Sequence, residues 1–431
     1  MEKRKSAWLV LLIFLTIFFF SSKSSVISAK IQNIESLKLL AHEPIEIICD
    51  QNLTDYNFPG SGTKLDPFII SGLEINTTNS NQNNIMIKYT TKSFIIENCV
   101  LSKPSIFRYP NLLSSRLSIY IRDCKNDTVI IRNNLCEGIS IYNTSFSVIE
   151  KNEVKNSIDN GILVRHSLYT FVRNNYVYDN GIGIHIENSY HCFTERNRVV
   201  NNSGYLELVS GIDDLYVPSG LLFQGKCSKS IIQGNYFENN RNTISIWGGI
   251  NYTISSNIVK DSKDSSIYIS RVTDSLIFNN SVQSGYRGIY LGSTFSSVIN
   301  YNNISNNKEY GLLIAAKCEN NIIYYNRFID NGIRLIEKGE IESQASDWGI
   351  NNTFYDKENH RGNYWSDLKK IPYLVDGKAK SVDLYPINFI IDKTYLITDP
   401  ILAILPLIVV LIYFLKLKYK RGFLKSQNYP Q

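Results

Sequence analysis

Residues 277–304, IFNNSVQSGYRGIYLGSTFSSVINYNNI, contain the repeating pattern that decides the fold. Asn280 and Asn302 are 22 residues apart, an isoleucine stands three places before each, and an apolar residue follows each two places later. Between them, residues 288–291 (GIYL) belong to an alternating segment. A hydrophobic period of two indicates a short strand with one buried face. Each repeat therefore predicts two or three short strands separated by Asn/Gly turns.

The same unit recurs along most of the chain. Seven of the ten successive spacings fall between 22 and 26 residues, and a constant period of this size is typical of solenoids. One unit cannot bury its apolar face alone, so successive units stack and pair their strands in parallel. Because an amide both donates and accepts hydrogen bonds, we expect the repeat asparagines to form a structural ladder along the axis. The repeat asparagines are Asn98, Asn133, Asn152, Asn175, Asn197, Asn235, Asn257, Asn280, Asn302, Asn326 and Asn352.

The pattern predicts an all-β fold, a right-handed parallel β-helix of about 10 to 11 coils, since parallel crossovers are almost always right-handed. Leucine-rich repeats share this period, but the LxxLxL consensus does not occur here. A β-propeller is disfavoured because its blades repeat at about 40 residues or more.

The distribution of charge excludes a nucleic-acid-binding protein. The 431 residues include 45 Lys and Arg against 39 Asp and Glu. The first 29 residues carry a net charge of +3 and the last 16 carry +5, so the remaining 36 basic and 38 acidic residues are nearly balanced. A basic excess confined to the two ends favours a membrane, not DNA or RNA, as the partner.

The two ends have the composition of targeting and anchoring segments. Basic residues precede an apolar run over 7–20 and small polar residues, which predicts a signal peptide at 1–29. A second apolar run predicts a transmembrane helix at 395–415, and the basic tail at 416–431 is expected to be cytoplasmic. The bulk of the chain is then extracellular, tethered to the cell membrane by a single C-terminal span.

Between these ends we expect three regions: an N-terminal cap leading into the solenoid (30–83), the β-helix itself (84–355) and a C-terminal cap (356–394). The seven cysteines form no CxxC pair, so neither a zinc site nor a disulfide framework is predicted. Cys227 and Cys318 share a column but are several coils apart, too far for a disulfide. Buried free thiols are the expectation.

Two segments near the ends of the predicted solenoid resemble a known family. Residues 60–75, GSGTKLDPFIISGLEI, resemble the start of NosD-like β-helix proteins, while 362–367 (GNYWSD) and 383–386 (DLYP) resemble their closing motifs. That family belongs to the CASH group of carbohydrate-binding proteins and sugar hydrolases. The resemblance covers roughly residues 55–390, and it implies a right-handed parallel β-helix on secreted or cell-surface proteins, commonly of archaeal type.

The chain departs from this family in two ways. The acidic, glycine-rich stretch between the closing motifs is replaced by residues 369–372 (KKIP). NosD itself is associated with copper delivery to nitrous oxide reductase, but the Met- or His-rich clusters that copper prefers do not occur in this sequence. The resemblance therefore carries over fold and location, and no metal or other cofactor is expected.

The repeat frame also predicts which outward side chains are neighbours. A column should contain one residue from each of four coils, and a second column beside it should hold further polar and aromatic groups. Aromatic rings can stack on the C–H faces of sugars while carboxylates and amides bond their hydroxyls. A solvated outer face with a weak ion pair is the alternative. The predicted ligand-binding residues are Arg165, Glu187, Gln224 and Trp247 in the first column and His185, Tyr268 and Tyr290 in the second.

Catalysis and metal binding are two further possibilities for these residues. Sugar cleavage needs two carboxylates about 5 to 9.5 Å apart, and Glu187 with Asp213 or Asp214 of a long insertion could supply them. Ordinary loop polarity explains the same acids, since no motif selects them. His166 and His185 fall about 10 Å apart on the repeat frame, too far for shared coordination of a metal.

These observations predict a membrane-anchored extracellular protein that binds glycans or another cell-envelope partner, as a binding or adhesion module, without catalysis. A polysaccharide-active enzyme (lyase, hydrolase or epimerase) using Glu187, Asp213 and Asp214 is the first alternative. An accessory protein for a metalloenzyme or transporter, as the resemblance to NosD implies, is the second. A polysaccharide or a glycoprotein is the expected partner outside the membrane.

Overall fold

The computed structural model describes residues 38–77, 82–102, 117–125, 129–203 and 218–387. The predicted signal peptide, transmembrane helix and basic tail lie outside these residues. Within the described part of the chain, no helix is both long enough and apolar enough to cross a membrane.

Nearly all the described elements are short strands, numbered here in chain order, and most of them form three long parallel sheets. Sheet A consists of β1 (Leu40–Ala41), β4 (Leu73–Asn76), β7 (Val100–Ser102), β10 (Leu135–Cys136), β13 (Glu153–Lys155), β16 (Tyr176–Tyr178), β19 (Arg198–Val200), β22 (Tyr236–Glu238), β25 (Ile258–Lys260), β28 (Ser281–Gln283), β31 (Asn303–Ser305), β34 (Arg327–Ile329) and β36 (Tyr364–Trp365).

Sheet B consists of β2 (Ile45–Ile47), β5 (Ile85–Lys88), β8 (Ile119–Arg122), β11 (Ile139–Tyr142), β14 (Asn160–Arg165), β17 (Ile182–Glu187), β20 (Ser219–Gln224), β23 (Asn242–Ile250), β26 (Ser265–Thr273), β29 (Arg287–Gly292), β32 (Leu312–Ile314) and β35 (Ala345–Asp347). Sheet C consists of β3 (Phe68–Ser71), β6 (Phe94–Glu97), β9 (Val129–Arg132), β12 (Ser147–Glu150), β15 (Phe171–Arg173), β18 (Phe193–Glu195), β21 (Ile231–Gln233), β24 (Thr253–Ser255), β27 (Leu276–Phe278), β30 (Val298–Asn300) and β33 (Ile322–Tyr324).

The chain visits sheets A, B and C in turn, and each strand pairs in parallel with its counterpart one coil later. This arrangement is a parallel β-helix, so the predicted all-β solenoid is confirmed. Sheets A, B and C contain 13, 12 and 11 described strands, so the solenoid has slightly more coils than the predicted 10 to 11. The coiled strands extend from Leu40 to Trp365, beyond the predicted 84–355 at both ends. The hairpin β37 (Tyr373–Leu374) and β38 (Val382–Asp383) and the short helices α1 (Asp50–Asp55) and α2 (Ile333–Glu337) complete the described elements.

The core is a set of apolar columns inside the coil. In sheet B, for example, Ile162, Ile184 and Leu221 follow one another in register on β14, β17 and β20, and all three are fully buried. Burying an aliphatic side chain of this size contributes about 1.5–3 kcal/mol. The period-two alternation in the sequence therefore has a simple structural cause: successive residues of a strand point alternately into these core columns and to the outer surface.

A buried asparagine ladder runs along the corner between sheets C and A. In each coil the backbone N–H and the side-chain Nδ2 of one asparagine both donate to Oδ1 of the asparagine in the next coil. For Asn235 and Asn257 these distances are 3.0 and 2.9 Å. The ladder consists of Asn134, Asn152, Asn175, Asn197, Asn235, Asn257, Asn280, Asn302, Asn326 and Asn363.

Three of the predicted ladder residues lie elsewhere. Asn98 and Asn133 each precede the column by one residue, and their φ angles of 55° and 53° place them at corners in the left-handed region. Asparagine tolerates that conformation better than most residues, so corner and ladder positions both select it. Asn352 instead accepts from Asn321 in a different column, and Asn363 is the last member of the ladder.

A second ladder of buried asparagines occupies the corner between sheets A and B and was not predicted. Asn180 donates through Nδ2 to Oδ1 of Asn202, and Asn202 donates to Asn240, at 3.0 and 3.1 Å. Asn307 and Asn331 repeat the contact at 2.8 Å. The signal was present in the sequence, because each of these residues stands five places after a member of the first ladder.

The two closing motifs meet at the C-terminal end of the solenoid. The carboxylate of Asp383 accepts hydrogen bonds from the backbone N–H of Asn363 at 2.7 Å and from Nε1 of Trp365 at 3.0 Å. The Trp365 ring stacks between Phe328 and Tyr373. A side chain at Gly362 would collide with the Asp383 carboxylate. This close approach explains the glycine of the GNYW segment.

Candidate functional site

The first predicted column of outward residues exists as predicted. In register on β14, β17, β20 and β23 lie Arg165, Glu187, Gln224 and Trp247. Nε of Arg165 donates to Oε2 of Glu187 at 2.6 Å, and the two side chains remain 32% and 21% exposed. A partly exposed ion pair of this kind contributes roughly 0–1 kcal/mol. It therefore orients two charged groups at the surface without being important for folding.

The second predicted column lies beside it and also follows the register. His185 is succeeded along the axis by Leu222, Ser245, Tyr268 and Tyr290. The two columns together cover six consecutive coils, about 24 Å at about 4.8 Å per coil. We call these seven predicted residues the sheet B strip.

The aromatic part of the strip is a stack of rings. Trp247 and Tyr268 have ring centroids 5.0 Å apart with a 31° tilt, and Tyr268 and Tyr290 are 4.9 Å apart and nearly parallel. Both faces of the Tyr268 ring are therefore covered by its neighbours. This ring has no open face on which a sugar could stack, in contrast to the sequence-based expectation. Burial raises the pKa of Tyr268, so its hydroxyl is neutral and available as a donor. The stack offers ring edges, hydroxyls and the outer faces of its two end rings.

His185 differs from the other strip residues because it is only 2% exposed. Its Nδ1 is 3.1 Å from Oδ1 of Asn160, which assigns the proton to Nδ1. Burial, together with the charge of Arg165, lowers the pKa of His185 to about 3. The ring is therefore neutral near pH 7 and supports the strip from beneath.

This burial predicts a pH-dependent loss of stability. Because the unfolded-state pKa is near 6.5 and the folded-state pKa is about 3, protons bind the unfolded chain preferentially as the pH falls through this window, and stability decreases. A His185→Leu variant places a leucine between Leu163 and Leu222 of the same column. Its stability should no longer show this contribution to the loss at low pH. Denaturant unfolding at pH 7.5 and pH 4.5 measures it. His166→Leu, an exposed position on the neighbouring coil, is the control, and equal pH slopes in both variants would contradict the assignment.

The predicted pair of carboxylates is not tested by the structure. Glu187 is bonded to Arg165, whereas Asp213 and Asp214 lie outside the described residues. Their use as catalytic partners of Glu187 stays a prediction.

Histidines and cysteines do not converge on a metal site in the described part of the chain. No group of three or more His, Cys, Asp or Glu residues there is arranged to hold a metal ion. The seven cysteines are free, and six are buried. Burial raises the pKa of Cys99 and Cys227 to about 11, which disfavours the thiolate that a soft metal needs.

Family models match two overlapping parts of the chain. Residues 69–249 match the right-handed β-helix region, and residues 216–370 match the periplasmic copper-binding protein NosD. The chain is a NosD-like right-handed β-helix protein. The donor atoms described above do not fit a copper ion, so no step in its function is assigned to copper. None of the curated proteins compared with this sequence matches it.

Several solved structures are similar to parts of this NosD-like protein. The mannuronan C-5 epimerase AlgE6 A-module of Azotobacter vinelandii is 8% identical, with 79% of this chain and 99% of that chain covered and a TM-score of 0.48. The periplasmic alginate epimerase AlgG is 13% identical, with 73% and 84% covered and a TM-score of 0.44. The Dettilon tailspike protein is 12% identical, with 76% and 62% covered and a TM-score of 0.43. The NosD-like chain thus spans about three fifths of that tailspike. With TM-scores below 0.5, none of these similarities assigns an activity to this chain.

Proposed function

We propose that this protein is an extracellular, membrane-anchored β-helix that binds a glycan along the sheet B strip without transforming it. The observation that carries the proposal is the register of the strip. Charged, amide and aromatic groups occupy two neighbouring columns in register, and each of six consecutive coils contributes at least one of them. The anchor is the predicted helix at 395–415.

The shape of the strip favours an extended polymer over a small molecule. Its groups repeat at about 4.8 Å along a straight axis, so one chain of linked sugars can contact several coils at once. The Arg165–Glu187 pair and Gln224 provide donors and acceptors for hydroxyls. The outer face of Trp247 and the tyrosine hydroxyls add contacts at the other end. Glu187 is held by Arg165 and His185 is buried and neutral, which supports binding over acid–base catalysis.

Replacing Trp247 by alanine should lower glycan affinity roughly tenfold, about 1.4 kcal/mol, because the stack loses its end ring. Binding of the full-length chain to a glycan array, followed by titration calorimetry on the best ligand, measures this effect. Trp348→Ala is the matched control, since Trp348 is exposed outside the strip. Equal affinities for the wild type and Trp247→Ala would contradict a role of the strip.

The enzymatic alternative is distinguished by incubating the same full-length protein with the bound polysaccharide. Only unchanged polymer is expected. Release of a product or a new uronate stereochemistry, abolished by Glu187→Gln or Asp213→Asn, would contradict a purely binding function.

An accessory role in metal delivery is favoured by one observation, the match of residues 216–370 to the NosD family model. Titration of the full-length chain with Cu(I) and Cu(II) tests it. We expect no tight site, because six of the seven described cysteines are buried and burial raises the pKa of those six thiols. Stoichiometric, chelator-resistant copper would favour the accessory role instead.

A further inference from the structure

The outer surface of sheet C bears a continuous apolar column. One outward position per coil, read along the strand register, is apolar in ten of eleven coils. The residues are Ile69, Ile95, Ile130, Val148, Phe171, Phe193, Ile231, Thr253, Leu276, Val298 and Ile322. The core is formed by the inward neighbours of these residues, such as Val172 beside Phe171. Ile95 is only 9% exposed, whereas the other members of the column are half-buried or exposed.

The neighbouring corner extends this apolar surface. Phe146 and Leu168 are 46% and 41% exposed. Phe146 stacks on Tyr169 at 5.3 Å, and Phe171 stacks on Phe193 at 4.5 Å. The outer surfaces of sheets A and B are mixed at the same coils, as Glu153, Tyr176 and Arg198 in sheet A illustrate. A contiguous apolar surface restricted to one side of a protein marks an interaction site.

A column of alternating charges runs beside the apolar column. Glu97, Arg132, Glu150, Arg173 and Glu195 follow one another in register, and Gln233 follows Glu195. Within the chain, Arg132 pairs with Glu97 at 2.6 Å and Arg173 pairs with Glu150 at 2.8 Å. The sign of the charge therefore changes at every coil.

We propose that the outer surface of sheet C is the interface of an antiparallel homodimer. A two-fold axis perpendicular to the solenoid, level with the gap between β12 and β15, reverses the order of the coils and keeps the columns aligned. Glu150 then faces the partner's Arg173, and Arg132 faces the partner's Glu195. Within this column, every charge in the four central coils meets its opposite.

The same axis pairs the apolar columns. Val148 faces the partner's Phe171, Ile130 faces the partner's Phe193, and Ile95 faces the partner's Ile231. A second copy is the occupant that these features fit, because its coils have the same spacing of about 4.8 Å and its charges alternate with the same period. Large and small apolar side chains then alternate across the interface.

The overlapping area is of the size that a stable dimer needs. Eight coils overlap, a length of about 38 Å, and the sheet with its corners is about 20 Å wide, which gives roughly 750 Å² on each partner. Stable interfaces bury about 800 Å² on each partner. The coils after β24 fall outside the overlap, so Ile322 is predicted to lie beyond the interface although it belongs to the same column.

Sedimentation equilibrium of the purified full-length chain tests the proposal. The wild type should be a dimer at micromolar concentration, and Phe171→Lys and Ile231→Lys should each raise the dissociation constant at least tenfold. Two controls should remain dimeric: Ile258→Lys, a comparably exposed position on sheet A, and Ile322→Lys, beyond the overlap. Circular dichroism checks that each variant is folded, as is expected for outward positions.

Any of four results would overturn the proposal. The first is a wild type that remains monomeric at tens of micromolar. The second is a dimer that Phe171→Lys and Ile231→Lys leave intact, and the third is equal weakening by Ile258→Lys. A dimer lost equally on Ile322→Lys would also overturn the proposed axis, since that residue lies outside the overlap. None of these results bears on glycan binding by sheet B, which is measured separately.

Discussion

Replacing Asn235 by alanine is expected to destabilise the protein by about 3–5 kcal/mol, more than any single substitution on the sheet B strip. Asn235 is the acceptor for both donors of Asn197, at 2.9 and 3.0 Å. Its Nδ2 in turn donates to the carbonyl of Thr194 and to Oδ1 of Asn257. Alanine leaves several buried polar groups without partners, and each costs about 1–3 kcal/mol.

Denaturant unfolding of the two proteins measures the effect of Asn235→Ala, and amide hydrogen exchange localises it to the coils of Asn197 and Asn257. Asn239→Ala is the matched control, because Asn239 lies at an exposed corner only four residues away, with φ of 53°. The control should cost about 1 kcal/mol, the penalty for an ordinary residue in the left-handed region. A loss below about 1 kcal/mol for Asn235→Ala would show that the ladder does not stabilise the fold.

The ladder also shows how far the sequence alone could lead. The 22-residue period fixes the register between coils, so it correctly paired Arg165 with Glu187 and found the ladder position from Asn152 to Asn326, but not at Asn352. It failed at Asn98 and Asn133, because a ladder position and the corner just before it both favour asparagine. Adjacent positions with the same preference cannot be separated by period alone.

The properties of the candidate site were harder to predict for a different reason. The repeat places Tyr268 and Tyr290 in one column, but it does not say that their rings cover each other. Likewise it places His185 on the outward side without indicating that the residue is buried. Ring orientation and burial depend on packing between columns, which no periodicity in one chain encodes. The position of a site residue was therefore predictable, whereas its accessibility was not.

The direction of the ladder explains the identity of the residue at its end. Each asparagine donates to the one in the next coil, so every coil needs an acceptor supplied by its successor. Asn363 has no successor asparagine among the described residues, and its backbone N–H donates instead to Oδ2 of Asp383. A carboxylate is a strong acceptor for such a bond. Its role as the last acceptor of the ladder therefore explains why a buried aspartate occupies position 383 in the DLYP segment.

Replacing Asp383 by alanine is accordingly expected to cost about 2–5 kcal/mol, because the buried donors of Asn363 and Trp365 lose their acceptor. Asp383→Asn keeps an acceptor oxygen and should cost markedly less. Burial raises the pKa of Asp383, so its ionisation reduces stability as the pH rises above the unfolded-state value, and the asparagine variant should lose that dependence. Thermal and denaturant unfolding of both variants, at pH 4 and pH 7, measure the two effects. If Asp383→Asn proved as damaging as Asp383→Ala, the negative charge itself would be required, and a neutral acceptor could not complete the ladder.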